Sequence, residues 1–151
     1  MSSEVKNLNP DTDLSALLQI EQSCFSTPLS ELQLLKQLES PRIVALGLFA
    51  PELVGFAIYS VVLDEAELLQ IGVFPTERGR GYAGLLMQAG MGALREQGVV
   101  RLMLEVRASN IAACTLYERC GFIVDGRRNS YYPAEAEGQE REDALLMSVT
   151  L

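Results

Sequence analysis

Glu105 and Tyr117, with Asn110 between them, are side chains whose types suit proton transfer, and a glycine-rich turn lies upstream of them at Arg78-Gly79-Arg80-Gly81-Tyr82-Ala83-Gly84. The turn follows the apolar run Leu68–Val73 and opens a helical pattern from Leu85 to Leu94. A helix N-terminus presents unpaired N–H groups and the positive end of the peptide dipole, so it accepts phosphate. Glycines let the backbone come close to the anion, and Arg78 and Arg80 add positive charge. These features imply a phosphorylated ligand. Gly79, Gly81 and Gly84 also fit G-x-G-x-x-G, with Glu105 about 20 residues further on, as in the dinucleotide fingerprint. In that fingerprint the first glycine directly follows the strand. Here Phe74-Pro75-Thr76-Glu77-Arg78 intervene, and the match falls mid-chain after an apparent β-meander. A dinucleotide fold is therefore disfavoured.

The run Arg101–Arg107 alternates as a strand, with Leu102, Leu104 and Val106 on one face and Met103 and Glu105 on the other. A strand between two helices is expected to be central and covered on both faces. An acid there costs free energy unless it is paired or hydrated. Two readings stand side by side: Glu105 is a base lining a cleft, or it is an ion-pair partner of Arg107 or another arginine. Tyr117 lies on the stripe Ala113, Leu116, Tyr117, Cys120, where a tyrosine is ordinarily core. Asn110 is an ordinary N-cap for the helix that follows.

The chain has no histidine, which removes Ser-His-Asp, Cys-His and H-E-x-x-H chemistry together. A general base must then be a carboxylate, a tyrosine, a lysine or a water held by one of them. No compact Cys/Asp/Glu cluster replaces the histidines, so no metal is expected. Cys24, Cys114 and Cys120 form an odd set without C-x-x-C and read as buried structural thiols in a reducing compartment. With 151 residues and 48% hydrophobic content, one domain over 1–151 is expected. No apolar run reaches the ~18 residues of a membrane helix, and no signal-peptide pattern opens the chain. A cytoplasmic monomer without membrane contact is expected. Net charge is −8, which disfavours direct nucleic-acid binding. Acids crowd Glu135, Glu137, Glu140, Glu142 and Asp143, with Asp64, Glu65 and Glu67 as a second group. Such clusters attract a cationic partner or simply form a solvated surface, and charge alone favours the surface.

The periodicities place a first strand at Val5–Leu8 and a helix at Leu14–Cys24 capped by Asp11-Thr12-Asp13. Ser30-Glu31-Leu32-Gln33 is a capping box for a second helix to Leu38. Ile43–Ala50 and Val54–Leu63 read as a hairpin, followed by a strand at Leu68–Val73. A helix from Gly81 to Gln97 follows, and Gly90 and Gly92 inside it suggest close packing. Then come the strand Arg101–Arg107, a helix Ile111–Cys120, and strands at Phe122–Asp125 and Ala144–Val149.

Arg78-x-x-Gly81-x-Ala83 resembles the Q/R-x-x-G-x-G/A pyrophosphate motif of the GNAT superfamily of N-acetyltransferases. Leu104-Glu105-Val106-Arg107-Ala108-Ser109-Asn110, Leu116-Tyr117-Glu118 and Gly121-Phe122 resemble its RimI branch, which acetylates the N-terminal alanine of the eighteenth small-subunit ribosomal protein. Ile20-Glu21-Gln22, Val62-Leu63-Asp64-Glu65-Ala66, Arg127-Arg128-Asn129, Tyr131-Tyr132-Pro133 and Glu142-Asp143-Ala144 are further matches. Leu29 departs from the branch's usual tryptophan, and Leu38–Pro51 shows little similarity.

The resemblance implies an α/β (α+β) acyl-CoA N-acyltransferase fold. Its mixed central sheet would have about seven strands flanked by four helices, and would splay between 68–73 and 101–107. It implies acetyl-CoA as co-substrate, with Ile71-Gly72-Val73 on the pantetheine and thioester, residues 78–84 on the pyrophosphate, and Asn110 nearby. Glu105 would be the base and Tyr117 the acid. The acceptor would be a basic ribosomal-protein N-terminus, in keeping with the acidic clusters. The alternatives are another amine (a lysine, a polyamine or an antibiotic) or a non-catalytic acyl-CoA-binding module. The presence of both Glu105 and Tyr117 argues against the module.

Overall fold

The computed structural model describes residues 2–151. In chain order the elements are β1 (Glu4–Asn7), α1 (Leu14–Cys24), α2 (Glu31–Glu39), β2 (Ile43–Phe49), β3 (Leu53–Val62) and β4 (Glu65–Val73). After a 3₁₀ turn at Pro75–Glu77 come α3 (Tyr82–Glu96), β5 (Arg101–Arg107), α4 (Ile111–Arg119), β6 (Ile123–Tyr132) and β7 (Glu142–Thr150). One sheet runs in the order β1-β2-β3-β4-β5-β7-β6. Among the described residues only β4 and β5 pair in parallel, so the sheet is mixed, as expected.

Two apolar layers hold the helices to the sheet. Leu17, Ile20 and Leu34 of α1 and α2 bury against Leu53, Phe56 and Ile58 on one face. On the other face, Leu86, Met87 and Leu94 of α3 and Tyr117 of α4 meet Tyr59, Leu102 and Leu104. Each fully buried aliphatic side chain stabilises the fold by about 1.5–3 kcal/mol relative to exposure. Gly90 belongs to this packing, because a Cβ there would lie 2.1 Å from the Tyr59 hydroxyl. Gly92 does not: nothing lies within 4 Å of its Cβ position, so the close packing expected there is absent.

The sheet opens at its centre. β4 and β5 pair only at Glu65–Glu67 with Arg101–Met103. Beyond that point β4 carries a bulge at Leu69, where its register on β3 jumps from Tyr59↔Leu68 to Ile58↔Gln70. A bulge bends and twists its strand, which here carries Gln70–Val73 away from β5.

Several expectations change. β5 is covered on one face only: Leu102, Leu104 and Val106 are buried, while Met103, Glu105 and Arg107 are partly exposed. The helices on that side, α1 and α2, pack on β2, β3 and β4 and leave β5 open. Asp13 does not cap α1 through its side chain, because its carboxylate accepts the Asn9 N–H at 2.7 Å instead. The Ser30 capping box and the Asn110 cap form as expected. The three cysteines are free but half-buried rather than buried. β6 is longer than expected, since its polar half, Gly126–Tyr132, is an edge paired to β7 that no apolar alternation marks.

Candidate active site

The end of β4 that no longer pairs with β5 lines a cavity of about 520 Å³. Ile71, Gly72 and Val73 of β4 line one side, and Asn110 with the start of α4 lines the other. Arg78, Gly79, Gly81, Tyr82, Ala83 and Gly84 close one end. The sequence had not marked Cys24, Phe25, Glu77, Ala112, Ala113 or Leu116, which complete the lining. Cys24 and Phe25 end α1, and no local pattern says that a helix end will reach a distant strand.

Gly81 sits at the N-cap of α3 with φ of +79°, and Gly79 has φ of +82°, both in the left-handed region that glycine tolerates. The first helical bond is Leu85 N–H to the Gly81 carbonyl at 3.2 Å. Among the described residues, no backbone carbonyl accepts from the N–H groups of residues 79–84. A Cβ at Gly79 or Gly81 would stand in open space. The result is a set of unpaired donors at a helix N-terminus beside a cavity, which suits a pyrophosphate. Arg78 adds charge and is pinned by its Nε donating to the Val73 carbonyl at 3.3 Å. Arg80 does not line the cavity: its side chain is 60% exposed and pairs with Glu77 at 3.4 Å.

The Cys24 thiol also donates to the Val73 carbonyl, at 3.3 Å. Burial pushes the Cys24, Cys114 and Cys120 thiols up from their ordinary values. All three stay protonated at neutral pH, so no thiolate nucleophile stands at the site.

Glu105 and Tyr117 are not in that lining, and they lie on opposite sides of β5. Tyr117 packs with the apolar face, its ring centroid 5.7 Å from that of Phe122. Burial, reinforced by Cys114, Tyr132 and Cys120, pushes its phenol up to about 12. Glu105 projects from the open face into a second cavity of about 270 Å³, together with Glu67, Asp125 and Arg128. Its partner is Arg128, Nη2 to Oε1 at 3.5 Å, rather than Arg107. Arg107 is held elsewhere, by Glu142, Glu135 and the Pro133 carbonyl. Residue 105 lies just past the last β4–β5 pair at Glu67↔Met103, so it borders the opening between the strands.

Glu21 is a buried polar residue of α1 and ties the region together. Its Oε1 accepts from the Leu29 N–H and from Gln70 Nε2, both at 2.8 Å. That anchors the α1–α2 connection to the bulged part of β4. Four of the eight clustered acids are ion-paired: Glu65 with Arg101, Glu135 and Glu142 with the single Arg107, and Asp143 with Arg127. No group of three or more metal-ligating side chains occurs among the described residues, and no helix is long and apolar enough to cross a membrane.

The profile of the acetyltransferase (GNAT) family matches residues 14–122. The chain is 42% identical over 141 residues to the [ribosomal protein bS18]-alanine N-acetyltransferase of Salmonella typhimurium, covering 93% of each chain. It is similar to the crystal structure of the ribosomal-protein-S18-alanine N-acetyltransferase from Escherichia coli, with a TM-score of 0.89, 37% identity, and 99% and 94% of the two chains covered. The PaiA N-acetyltransferase of Thermoplasma acidophilum, solved in complex with coenzyme A, shares the fold at a TM-score of 0.80 and 20% identity, over the whole of both chains.

Proposed function

Because this chain belongs to the acetyltransferase (GNAT) family, we propose that it transfers the acetyl group of acetyl-CoA to the N-terminal α-amine of a basic protein beginning with alanine. The acceptor would be ribosomal protein bS18, modified in the cytoplasm by a single domain spanning residues 1–151. The observation that carries the reading is the row of unpaired N–H groups at residues 79–84, beside the cavity that the free end of β4 lines.

Acetyl-CoA would supply an activated acyl thioester. Residues 79–84 and Arg78 would hold its pyrophosphate, Ile71-Gly72-Val73 its pantetheine arm, and Asn110 the near edge. Glu105 takes a proton from the acceptor amine, directly or through a water. An α-amine has a pKa near 8 against about 10.4 for lysine, so one carboxylate suits the α-amine better. The amine nitrogen bonds to the acetyl carbon as the bond from that carbon to sulfur breaks. Tyr117 hydrogen-bonds the departing sulfur and passes its proton to it, and the second proton that the nitrogen sheds on becoming an amide leaves through solvent, which restores the phenol. A phenol pushed up to about 12 is protonated at every working pH, so the donor is always in place.

The test is tandem mass spectrometry of a short basic peptide with a free N-terminal alanine after incubation with acetyl-CoA. Acetate on the α-amine is expected, and blocking that amine should abolish transfer although lysines remain. Acetate on lysine alone, or on a polyamine or antibiotic in preference, moves the activity to another amine. Absence of CoA release with every acceptor would reduce the chain to an acyl-CoA-binding module.

A further inference from the structure

Arg128 differs from the arginines around it. Arg107 is fixed by two carboxylates, the Pro133 carbonyl and the Tyr132 ring. Arg101 reaches Glu65, Asp125 and Ser148. Arg127 bonds Asp143 at 2.7 Å, and Arg141 bonds the Ser130 and Tyr131 carbonyls at 3.0 and 2.9 Å. The Arg128 guanidinium forms no hydrogen bond among the described residues. It has one ion pair, to Glu105 at 3.5 Å, and lies over the Tyr131 ring at 5.0 Å. Its side chain is 52% exposed. Its backbone, by contrast, is secured, because Arg128↔Ala144 is a regular pair just before the β6 irregularity, and Asp143 holds the Ser130 N–H beyond it. The strand thus delivers a loosely held cation to the carboxylate that faces the second cavity.

We propose that Arg128 is a positioning residue that occupies Glu105 as a stand-in for the acceptor's ammonium, and that the acceptor takes over the carboxylate by displacing it. The inference rests on Glu105 being the base. Before reaction the incoming amine is a cation and replaces one charge by another at the carboxylate. After reaction the nitrogen is a neutral amide and cannot. The guanidinium then reclaims Glu105, so the exchange selects free amines over acetylated product. An ion pair this exposed is weak, which allows the exchange to be reversible. The Tyr131 face offers the displaced guanidinium a resting place through cation–π attraction.

Arg128→Gln removes the competing cation and keeps a polar side chain. The acceptor KM should fall about two- to fivefold, and the inhibition constant of the N-acetylated peptide should fall at least as much, the range a single exposed ion pair can supply. Arg128→Lys should return both constants toward wild type. The KM for acetyl-CoA should not move, because Arg128 lies outside the donor cavity. Side-chain ¹⁵N resonances of Arg128 should shift on adding free peptide and far less on adding acetylated peptide. A raised or unchanged acceptor KM in Arg128→Gln, or equal shifts with both peptides, overturns the proposal. If Glu105→Gln retains full turnover, it is instead the assignment of the base that fails, and the two failures are separable.

Discussion

Glu105 acquires its surroundings from strand alternation and from where two helices stop. Alternation put it opposite Leu104 and Val106, as the sequence implied. Only the packing of α1 and α2 on β2–β4 left its side open to an acceptor. Glu105→Gln is nearly isosteric and removes the proton acceptor. Turnover should fall about 10²–10⁴-fold, with partial rescue at higher pH, where more of the amine is already neutral. Calorimetry should find acetyl-CoA affinity intact, since the residue is not in the donor cavity. Tyr117→Phe keeps the ring against Phe122 and removes the hydroxyl, and turnover should drop about 10²-fold or more. Near wild-type turnover in the folded variant would leave Tyr117 as core. The same residue ties stability to alkaline pH. Folded Tyr117 keeps its proton to about 12, whereas an unfolded tyrosine releases it near 10. Between those values the unfolded state binds fewer protons, so stability is full below pH ~10 and is lost as pH rises toward ~12. Two units correspond to about 3 kcal/mol. Urea melts at pH 9 and 11.5 should show a larger loss in wild type than in Tyr117→Phe.

At the scale of elements, most of the candidate donor half is one strand, one turn and one helix end in sequence order, Ile71 to Gly84. Gly81→Val tests it. A β-branched residue at φ of +79° is strained, and its side chain projects into the open space where a pyrophosphate would sit. Acetyl-CoA affinity by calorimetry should weaken about tenfold or more, on the close-approach argument. Unchanged affinity with the fold intact removes the turn from the binding site. That stretch of the candidate site was legible because it is local, with glycines in sequence, an apolar run before them and helical periodicity after, whereas Cys24 and Phe25 reach the lining from α1 and left no local mark. The exception is Arg80, whose charge goes to Glu77, one turn away, and that choice between neighbours leaves no mark in spacing. The acceptor half was poorly legible for the opposite reason. Arg128 meets Glu105 only because β7 pairs with both β5 and β6. The bulge at Leu69 has no glycine or proline to announce it, and Asp13 lost its cap to Asn9, a competition between two local bonds of similar strength. The resemblance stated from the residues supplied the splay that periodicity alone did not contain.

Across the whole molecule the charge is −8, yet most acids near the open face are matched by arginines. A one-to-one pair cancels at a distance, whereas Arg101 and Arg107 each face two carboxylates and leave one negative charge over. Asp64, Glu67, Glu137 and Glu140 take part in no ion pair among the described residues, and Glu67 lines the cavity that holds Glu105. Attraction of the proposed basic acceptor would therefore come from the unbalanced remainder and the overall field, and its expected form is faster capture rather than tighter final contact. Such a field is screened by salt, with a Debye length near 30 Å at 0.01 M and about 3 Å at 1 M. At saturating acetyl-CoA, kcat/KM for a lysine- and arginine-rich peptide starting with alanine should fall steeply as salt rises over that range. A peptide with the same N-terminal alanine and an uncharged body should lose little, because only its single ammonium senses the field. An equal loss for both peptides would place the salt effect at the Glu105 carboxylate itself, where both carry the same charge, and would remove any steering by the rest of the surface.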